Sequence, residues 1–401
     1  MPVETSERPR IYLDKVHLKG FKSIEDLSID FQRGLNILIG QNGSGKSNFM
    51  EFLFETIGIN RTNKIFFNYV KLDYSSSDSH SFIMELEKQV NAKNAINTFN
   101  YRNGLLERLF IDGELVFDNS SDDLSQKTID FQNRKIRIVG IGGNLTELFL
   151  HWGYQYWYPL YIKFELPDNL QYIDTPGTVK ANLENLNGTL EYADTLSFMD
   201  YSIRSFESLS SEDIVKIKDI TKNDVLAHLK IQDEIIENLK LYTTIKDARF
   251  NENINLYNDG KDVIIDNIKL EFKINGNWLP WSQLSDGAKR LFYIIAEVTN
   301  SNGLVLIEEP ELGIHPHQFN LVMNFLKEQS ENKQIIISTH APKALDRLSP
   351  KELNNILVTH YDLKKGTQMR HLKGKEIKTA KRYMNEVGFL SDYWLLSDLE
   401  E

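Results

Sequence analysis

The chain has 401 residues, of which 41% are hydrophobic, so it can bury a large core and form one elaborate domain or two modest ones. The 57 acidic residues outnumber the 46 basic residues, and the formal net charge of -11 predicts that the molecule as a whole repels a phosphate backbone. The absence of cysteine excludes disulfides, thiolate nucleophiles and Cys-ligated metal sites, and it favours a cytoplasmic location.

The beginning of the chain predicts three strands, a loop and a helix. Residues 11–18 and 27–31 alternate apolar and polar side chains, and residues 34–39 form a compact apolar run that is followed by a glycine. Residues 46–57 then place apolar side chains at helical spacing, so we expect the loop to open directly into a helix. The first ten residues are polar and do not resemble a secretion signal, and no apolar run reaches the about 20 residues of a membrane span.

The middle of the chain predicts a sheet and then a helical lobe. Alternating segments recur at residues 82–86, 106–117 and 136–141, which favours an antiparallel sheet added to the first part. The pattern becomes helical between residues 178 and 245, most clearly over 223–241, where apolar side chains cover one broad face. No heptad pattern persists, so we do not expect a long coiled coil.

The C-terminal half predicts an α/β core. Residues 264–274 are expected to form a strand, 287–299 a helix, 304–307 a buried strand, 318–326 a helix and 334–338 another buried strand. Strands that alternate with helices in this way are typical of a parallel sheet.

A glycine-rich loop lies between the third predicted strand and the first helix, in the spacing of a phosphate-binding loop. Its residues are Gly40, Gln41, Asn42, Gly43, Ser44, Gly45, Lys46 and Ser47. Glycines let backbone N–H groups point at a phosphate, and the helix N-terminus adds positive partial charge. We expect the residues from Asn42 to Ser47 to bind ATP, with Lys46 neutralising the β- and γ-phosphate oxygens and the Ser47 hydroxyl binding Mg²⁺.

Two carboxylates follow the buried strand 304–307, at the edge of the sheet where α/β folds bind ligands. In this Walker B arrangement Glu308 is expected to hold Mg²⁺ through its water shell, and Glu309 to polarise the water that attacks the γ-phosphate. His340 follows the strand 334–338 at the same edge, from which it is expected to reach the γ-phosphate. His315 and His317 are interpreted mainly as loop residues, with a nucleotide or partner contact as the alternative.

A second anion site is predicted at Ser285, which precedes an apolar helix together with Gly287. The same pattern is also that of an ordinary helix N-cap. Two helix ends suited to phosphate, with one triphosphate for each phosphate loop, suggest that the second end serves the nucleotide of a neighbouring subunit. We therefore expect a two-fold homodimer that sandwiches ATP between its subunits.

These motifs together resemble the ABC-type ATPases of the SMC, RecF and OLD group. Residues 284–287 are similar to the ABC signature, residues 308–316 to the Glu-Glu-Pro-Glu and His-Pro stretch of RecF-like and OLD-like proteins, and residues 20–23 to the motif that opens their heads. The resemblance implies ATP-driven engagement of two heads, with Lys22 as an additional phosphate contact. The sequence departs from the pattern of the group at Asp286, Ala288 and Glu308, which predicts slow turnover. Gln132 and Gln155 are the two candidates for the Q-loop glutamine, and neither is assigned.

The fold implied is an α/β ABC-ATPase head, a P-loop NTPase with a mixed sheet, an antiparallel β subdomain and an inserted helical lobe. The predicted segments are an N-terminal ATPase lobe at 1–177, the helical insertion at 178–262, a C-terminal ATPase lobe at 263–360 and a basic, helical tail at 361–401. The stretch after His340 is too short for the Toprim nuclease of OLD proteins. The chain therefore resembles the stand-alone ATPases of bacterial anti-phage systems, the PtuA-like and AriA-like proteins, which act with a separately encoded nuclease effector.

Alternative functions remain open at this point. A RecF-like DNA-repair ATPase would use the basic stretch 364–382, although such a run is also typical of a solvated surface. An ATP-bound scaffold with negligible hydrolysis would store an effector until a trigger arrives. The nucleotide-binding domain of a transporter fits the opening motif poorly. The aromatic and apolar residues of 383–395 are expected to pack, with docking as the alternative.

Overall fold

The computed structural model describes residues 8–57, 67–88, 105–118, 127–131, 134–138, 148–149, 152–154, 159–163, 177–182, 190–192, 222–223, 231–258, 262–397 and 399. The chain divides into two compact units. Unit 1 comprises Met1–Phe164, Asn300–Leu312 and Leu326–Glu401, and unit 2 comprises Glu165–Thr299 and Gly313–Phe325. The four segments predicted from the sequence stay a prediction.

The secondary structure of the described residues is as follows. The strands are β1 Ile11–Phe21, β2 Ile24–Asp30, β3 Leu35–Ile39, β4 Tyr69–Ser76, β5 Ser81–Lys88, β6 Leu105–Ile111, β7 Glu114–Asp118, β8 Lys127–Phe131, β9 Arg134–Ile138, β10 Leu160–Ile162, β11 Gly177–Asn182, β12 Leu190–Tyr192, β13 Asp247–Phe250, β14 Asn255–Asn258, β15 Asp262–Ile268, β16 Leu270–Ile274, β17 Asn277–Pro280, β18 Val305–Glu308, β19 Ile335–Thr339, β20 Ile356–Asp362 and β21 Gly366–His371. The helices are α1 Lys46–Ile57, α2 Asp233–Tyr242, α3 Asp286–Asn300, α4 Pro316–Gln329, α5 Gly374–Glu386 and α6 Leu390–Leu395.

Unit 1 is built on a mixed sheet of twelve strands in the order β10-β18-β19-β3-β20-β21-β2-β1-β4-β5-β6-β7. The first five strands run parallel to one another, and each later neighbour pairs antiparallel. The fold is therefore mixed α/β, and the predicted segments 82–86 and 106–117 continue the main sheet, whereas the segment predicted at 136–141 overlaps β9 outside it. The separate ribbon β8-β9 pairs antiparallel.

The core of unit 1 forms because the central strands are apolar on both faces. All five residues of β3 are buried, as a strand covered on both sides requires. Helix α1 buries its apolar face, where the Phe31 and Phe49 rings stack with centroids 6.0 Å apart and the Phe21 and Phe52 rings meet edge to face at 5.5 Å. The predicted strands at 11–18, 27–31 and 34–39 and the predicted helix at 46–57 are confirmed.

Two predicted single strands are each two strands. The predicted strand 106–117 is the hairpin β6-β7, because Asp112 (φ 51°) and Gly113 (φ 85°) form its turn in the left-handed conformation that tight hairpins favour. The predicted strand 264–274 divides into β15 and β16, which belong to different sheets. Lys269 separates the two strands, and Asn267, which has φ 61°, lies within β15 where its pairing with β11 shifts register.

Unit 2 contains two β-sheets, whereas the sequence analysis predicted a helical lobe for much of it. A four-stranded antiparallel sheet has the order β12-β11-β15-β14, and a three-stranded sheet has the order β13-β16-β17. Its described α-helices are α2, which lies within the predicted helical segment, the long helix α3, and the greater part of α4, as far as Phe325. The β-branched run Val263, Ile264 and Ile265 favours β15 because such side chains suit a pleated surface. The helical description of 178–262 is thus corrected for the described residues.

Helix α3 is anchored by an aromatic cluster within unit 2. The Phe292 ring lies 4.8 Å from Phe272 of β16 and 5.8 Å from Trp281, measured between centroids, and both contacts are edge to face. Burying three aromatic side chains at one point fixes the helix against the small sheet. None of the helices in the described part of the chain combines the length and apolar character needed to cross a membrane.

The closing helices predicted for the tail are α5 and α6. Leu390 and Trp394 are buried, which confirms packing at these positions, and Tyr383 contacts Tyr393 with ring centroids 5.5 Å apart. Val387, Phe389 and Leu395 are exposed instead, because α6 presents only one of its sides to the rest of unit 1.

Burial of one carboxylate in α3 predicts a pH-dependent stability. Burial raises the pKa of Glu297 from 4.5 to about 7, because a desolvated carboxylate is penalised. Its stabilising contribution is therefore complete below pH 4.5 and is lost as the pH rises through 7. We expect Glu297→Gln to raise the free energy of unfolding by about 2 kcal/mol at pH 8 and by much less at pH 5.

Denaturant titrations at both pH values measure this difference. Glu237→Gln, on the exposed side of α2, is the matched control and is expected to change stability little at either pH. An equal effect of Glu297→Gln at pH 5 and pH 8 would contradict the assignment.

Candidate functional site

Three of the motifs predicted to bind nucleotide lie at one edge of the large sheet. The parallel register aligns Glu308 of β18 with Ser338 of β19, and Ser338 with Leu38 of β3. The next residue pair along the same edge is Thr339 and Ile39. The phosphate loop, the acidic turn and the histidine therefore all begin within one residue of the same level. Unit 1 brings them together as their positions after parallel strands predict.

The phosphate loop is shaped by close backbone contacts that only glycine permits. A Cβ on Gly40 would lie 2.0 Å from the carbonyl oxygen of Thr359, and a Cβ on Gly45 would lie 1.9 Å from the hydroxyl of Thr367. Gly45 also has φ 97°, which disfavours any side chain. Residues 41–43 and Ser47 are exposed, so the rim of the loop is open to a ligand.

Lys46 lies inside the loop. Its side chain is buried, and its ammonium donates to the carbonyl oxygens of Gly40 at 2.7 Å and Gln41 at 3.0 Å. A buried ammonium requires such partners, because an unpaired charge in the interior costs several kcal/mol. The loop thereby holds one positive charge, that of Lys46, at the first residue of α1.

The C-terminal hairpin β20-β21 supports the phosphate loop, which the sequence analysis missed. The buried Thr367 hydroxyl lies 2.7 Å from the Ser23 hydroxyl, and Ser23 accepts a hydrogen bond of 2.7 Å from the Asn48 side chain. One hydroxyl pair thus ties the turn after β1, the first turns of α1 and the hairpin to each other. The polar alternation of β21 is the only sequence signal of this contact, and it does not specify the partner.

Glu308 has a partner that the sequence did not indicate. The hydroxyl of Tyr161 on β10 donates to Glu308 Oε1 at 2.7 Å. Burial, followed by the neighbouring carboxylate, raises the pKa of Tyr161 well above its usual value, so the phenol stays protonated and donates. Strand β10 pairs with β18, and Ile162 aligns with Ile307, which sets Tyr161 beside the acidic strand end.

Glu309 lies in a left-handed backbone conformation with φ 44°, an uncommon state for a residue with a side chain. Its N–H donates to the Ser338 carbonyl at 2.8 Å, so the end of β18 stays attached to β19. His340 Nδ1 lies 3.6 Å from Glu309 Oε1 and 3.5 Å from Glu311 Oε1. The structure therefore places the predicted histidine beside two carboxylates of the acidic turn.

Lys22 is placed on the flank of α1. The residue has φ 49°, and its ammonium forms an ion pair with Glu51, one helical turn after Ser47. The phosphate contact predicted for Lys22 stays a prediction, since its described partner is this carboxylate. The glutamines considered for the Q-loop, Gln132 and Gln155, lie outside the described residues.

Ser285 and Gly287 lie in unit 2, at the start of α3. The Ser285 hydroxyl accepts a hydrogen bond of 3.2 Å from the Ala288 N–H, which is the geometry of an N-cap. A Cβ on Gly287 would lie 2.9 Å from the Gly313 carbonyl, so glycine is required for this approach. Ser285 itself is exposed, as a contact with a ligand would require.

His315 and His317 are exposed and have a local structural role. The ring nitrogen Nδ1 of His315 accepts the N–H of His317 at 3.2 Å, at the beginning of α4. His315 thus caps this helix, in agreement with its interpretation as a loop residue, whereas that interpretation is wrong for His317, which lies in the first turn of α4.

The donor set fits a magnesium ion held together with phosphates. Within the described ranges, no group of three or more His, Asp or Glu residues could hold a metal ion by itself. A hydroxyl at Ser47 and a carboxylate at Glu308 are hard oxygen donors, and Mg²⁺ is commonly bound by one or two carboxylates, waters and substrate phosphates. Tyr161 donates to Oε1 of Glu308, and a carboxylate, with two acceptor positions on each oxygen, would still suit an ion or its water shell beside such a donor.

Comparison with known proteins gives a family and several relatives. The family model described as AAA ATPase domain matches residues 12–344. The retron Vc95 probable ATPase of Vibrio cholerae is 22% identical, and the match covers 88% of this chain and 75% of that protein. An ATP/GTP phosphatase of Helicobacter pylori is 23% identical over 84% of this chain and 87% of its own length. The Smc chromosome partition protein of Methanocaldococcus jannaschii is 31% identical, but the match covers 26% of this chain and only 9% of that protein.

The contact of the phosphate loop with Thr367 predicts that alanine substitutions at Gly45 and Gly43 differ in their effect on stability. Gly45→Ala combines a strained backbone with a Cβ that meets Thr367, and we expect it to lower the free energy of unfolding of unit 1 by about 2–4 kcal/mol. Gly43→Ala is the matched control, because Gly43 has φ 78° but nothing lies within 4 Å of its Cβ. It is expected to cost only the backbone strain, about 1–2 kcal/mol. Denaturant unfolding measures both, and equal losses would show that Thr367 does not constrain the loop.

Proposed function

This chain belongs to the AAA ATPase domain family, and from that premise we propose that it binds Mg-ATP and hydrolyses it to drive a dimerisation switch. The observation that supports the proposal most is the common edge of the sheet, where the phosphate loop, the acidic turn and the histidine begin at one level. In phosphoryl transfer the protein mainly positions groups and neutralises charge, so this juxtaposition is the main requirement.

The phosphates are held by the loop and by α1. Backbone N–H groups of the exposed rim and the N-terminus of α1 attract the phosphate oxygens. The Lys46 ammonium, now bonded to two loop carbonyls, lies where the β- and γ-phosphate oxygens would be neutralised. Ser47 and Glu308 would hold Mg²⁺, whose charge offsets that of the phosphates.

We assign to Glu309 the role of orienting the water that attacks the γ-phosphate. Its carboxylate follows the metal-binding position by one residue, and the left-handed conformation aims its side chain differently from that of a residue in a continuing strand. Glu309 is expected to accept a hydrogen bond from the water and to orient it toward the γ-phosphate. His340, beside it, is expected to donate to a γ-phosphate oxygen.

The switch is assigned to the exposed start of α3 on a second copy of the chain. Ser285 and Gly287 lie at a capped helix N-terminus, which suits an anion, and Ser285 is exposed. A γ-phosphate held by the loop of one protomer and by this helix end of the other would close the dimer, and hydrolysis would open it. The departures at Asp286 and Ala288 from the fullest signature are consistent with slow turnover.

The cellular role proposed is that of the ATPase component of an anti-phage system with a separate effector, such as a nuclease, acting in the cytoplasm. Similarity to an ATPase that belongs to a retron supports this role. The DNA-repair alternative rests on the basic tail, where Arg370 pairs with Glu376 and Arg382 with Glu386. Two of its charges are thus engaged within the tail, which is typical of a solvated surface. A scaffold that binds ATP without turnover is the other outcome of the following test.

Glu309→Gln is expected to lower the rate of phosphate release by about 10²–10³-fold while ATP still binds, because the amide cannot take the proton of the water. Purified protein with ATP and Mg²⁺ gives the rate, and a fluorescent nucleotide gives the affinity. The exposed Glu331→Gln is the control and should keep the wild-type rate. Equal rates for wild type and Glu309→Gln would remove Glu309 from the mechanism, and tight binding with negligible wild-type turnover would select the scaffold.

Mixing two inactive variants tests the shared site. Lys46→Ala removes the phosphate contact, and Ser285→Arg blocks the start of α3, so each homodimer is expected to be inactive. A mixed dimer has one site with both elements intact, and equal amounts should recover about a quarter of the wild-type activity. Mass measurement of the mixture verifies subunit exchange. If subunits exchange but no activity is recovered, the result would contradict a dimer in which each site is shared between two protomers and turns over independently of the other.

A further inference from the structure

Glu311 is a third carboxylate in the acidic turn, and nothing in the proposed chemistry uses it. It lies two residues after Glu309, in a turn closed by the hydrogen bond from the Leu312 N–H to the Glu309 carbonyl at 3.1 Å. Its Oε1 accepts the Thr339 hydroxyl at 2.6 Å and the backbone N–H of His340 at 3.2 Å. The same oxygen lies 3.5 Å from His340 Nδ1. A single atom thus contacts the hydroxyl, the backbone and the ring at the end of β19.

Glu309 and Glu311 differ in their surroundings although both lie near the imidazole. The Glu311 side chain is 11% exposed and that of Glu309 is 29% exposed, while His340 is 39% exposed. Glu309 is therefore the more accessible of the two carboxylates to solvent. Glu311 lies behind it, attached to the backbone of the histidine segment. The two carboxylates are suited to different tasks, one toward a ligand and one toward the protein.

The burial of Glu311 is not explained by stability. Its second oxygen, Oε2, is buried and has no hydrogen-bond partner in the described part of the chain. A carboxylate oxygen left unsatisfied in the interior is destabilising, and an amide or an apolar side chain would avoid part of that cost. A buried polar atom of this kind calls for an explanation, and a role in catalysis is one of those that native proteins show.

The Thr339 hydroxyl continues the contact to the next residue. It donates to Glu311 and accepts the N–H of Ala341 at 2.9 Å, and Thr339 is fully buried. Thr339, the last residue of β19, and the two residues that follow it are therefore held by hydrogen bonds that lead to Glu311. Without the carboxylate, the hydroxyl and the His340 N–H both lose their partner, and the histidine has no other described contact with the acidic turn than Glu309.

We propose that Glu311 is a positioning residue for hydrolysis: it holds the His340 backbone and ring in the orientation that reaches the γ-phosphate, and so couples the acidic turn to the histidine strand. This inference rests on the proposed ATPase function. Glu311 acts only through His340 and touches neither nucleotide nor water. Its removal should therefore slow the chemical step and leave the binding of ADP, which has no γ-phosphate, unchanged.

A double-mutant cycle on the full chain tests the proposal. Glu311→Ala is expected to lower kcat about 10- to 100-fold, the size expected when a reacting group is displaced by a fraction of an ångström to one ångström. In a His340→Ala background the same substitution should change kcat less than about twofold, because the group through which it acts is already missing. ADP affinity, measured with a fluorescent analogue, should stay within about twofold of wild type in all four proteins.

Conservative variants separate positioning from folding. Glu311→Gln keeps an oxygen that accepts both hydrogen bonds, and Thr339→Ser keeps the hydroxyl, so both should retain more activity than Glu311→Ala and Thr339→Val. Thermal unfolding of each variant verifies that it is folded, and Thr339→Val provides the test if Glu311→Ala is not. An equal loss of kcat from Glu311→Ala with and without His340 would overturn the proposal, as would a loss of ADP affinity in a folded variant. Failure of the ATPase proposal looks different, because wild type itself would then release no phosphate.

Discussion

The parallel register of β3, β19 and β18 is the constraint on which the remaining features of the site depend. Parallel strands end at the same edge of a sheet, so three segments that lie far apart in the sequence must emerge side by side. Glu308, Ser338 and Leu38 occupy one row, and the residues that follow them are the acidic turn, the histidine and the phosphate loop. Every residue of β3 and of β19 is buried, so both faces of these strands pack within unit 1.

The phosphate loop depends on residues beyond the matched family domain. The family model ends at residue 344, whereas the hairpin β20-β21 begins at Ile356 and supplies the Thr359 carbonyl and the Thr367 hydroxyl that lie against the loop glycines. Strand β20 pairs directly with β3, so the hairpin belongs to the same sheet as the loop it supports. Thr367 of the tail lies against Gly45, so the tail contributes to the structure around the phosphate loop.

The acidic turn distributes its carboxylates among different surroundings. Glu308 accepts the Tyr161 hydroxyl, Glu309 is strained and partly exposed, and Glu311 is buried against Thr339 and His340. Carboxylates that are this near to one another need such separate partners, since like charges disfavour each other. These separate surroundings suit the three separate tasks proposed for the carboxylates, toward the metal, the water and the histidine.

The sequence by itself determined the strands and helices that are regular and local, and the motifs that follow them. Apolar runs at β3, β18 and β19 and helical spacing in α1 were sufficient, because burial on both faces or on one stripe leaves a periodic pattern. Short-range breaks such as the Asp112-Gly113 turn, and the single residue Lys269 between β15 and β16, decided where predicted strands divide, and alternation alone does not reveal them. Only the tertiary structure decided that Tyr161, Thr367 and Glu311 belong to the site, because each acts through a partner between 28 and 344 positions away. A hydrogen bond between distant residues leaves no periodicity in a single sequence, and its existence depends on which strands the fold sets next to each other.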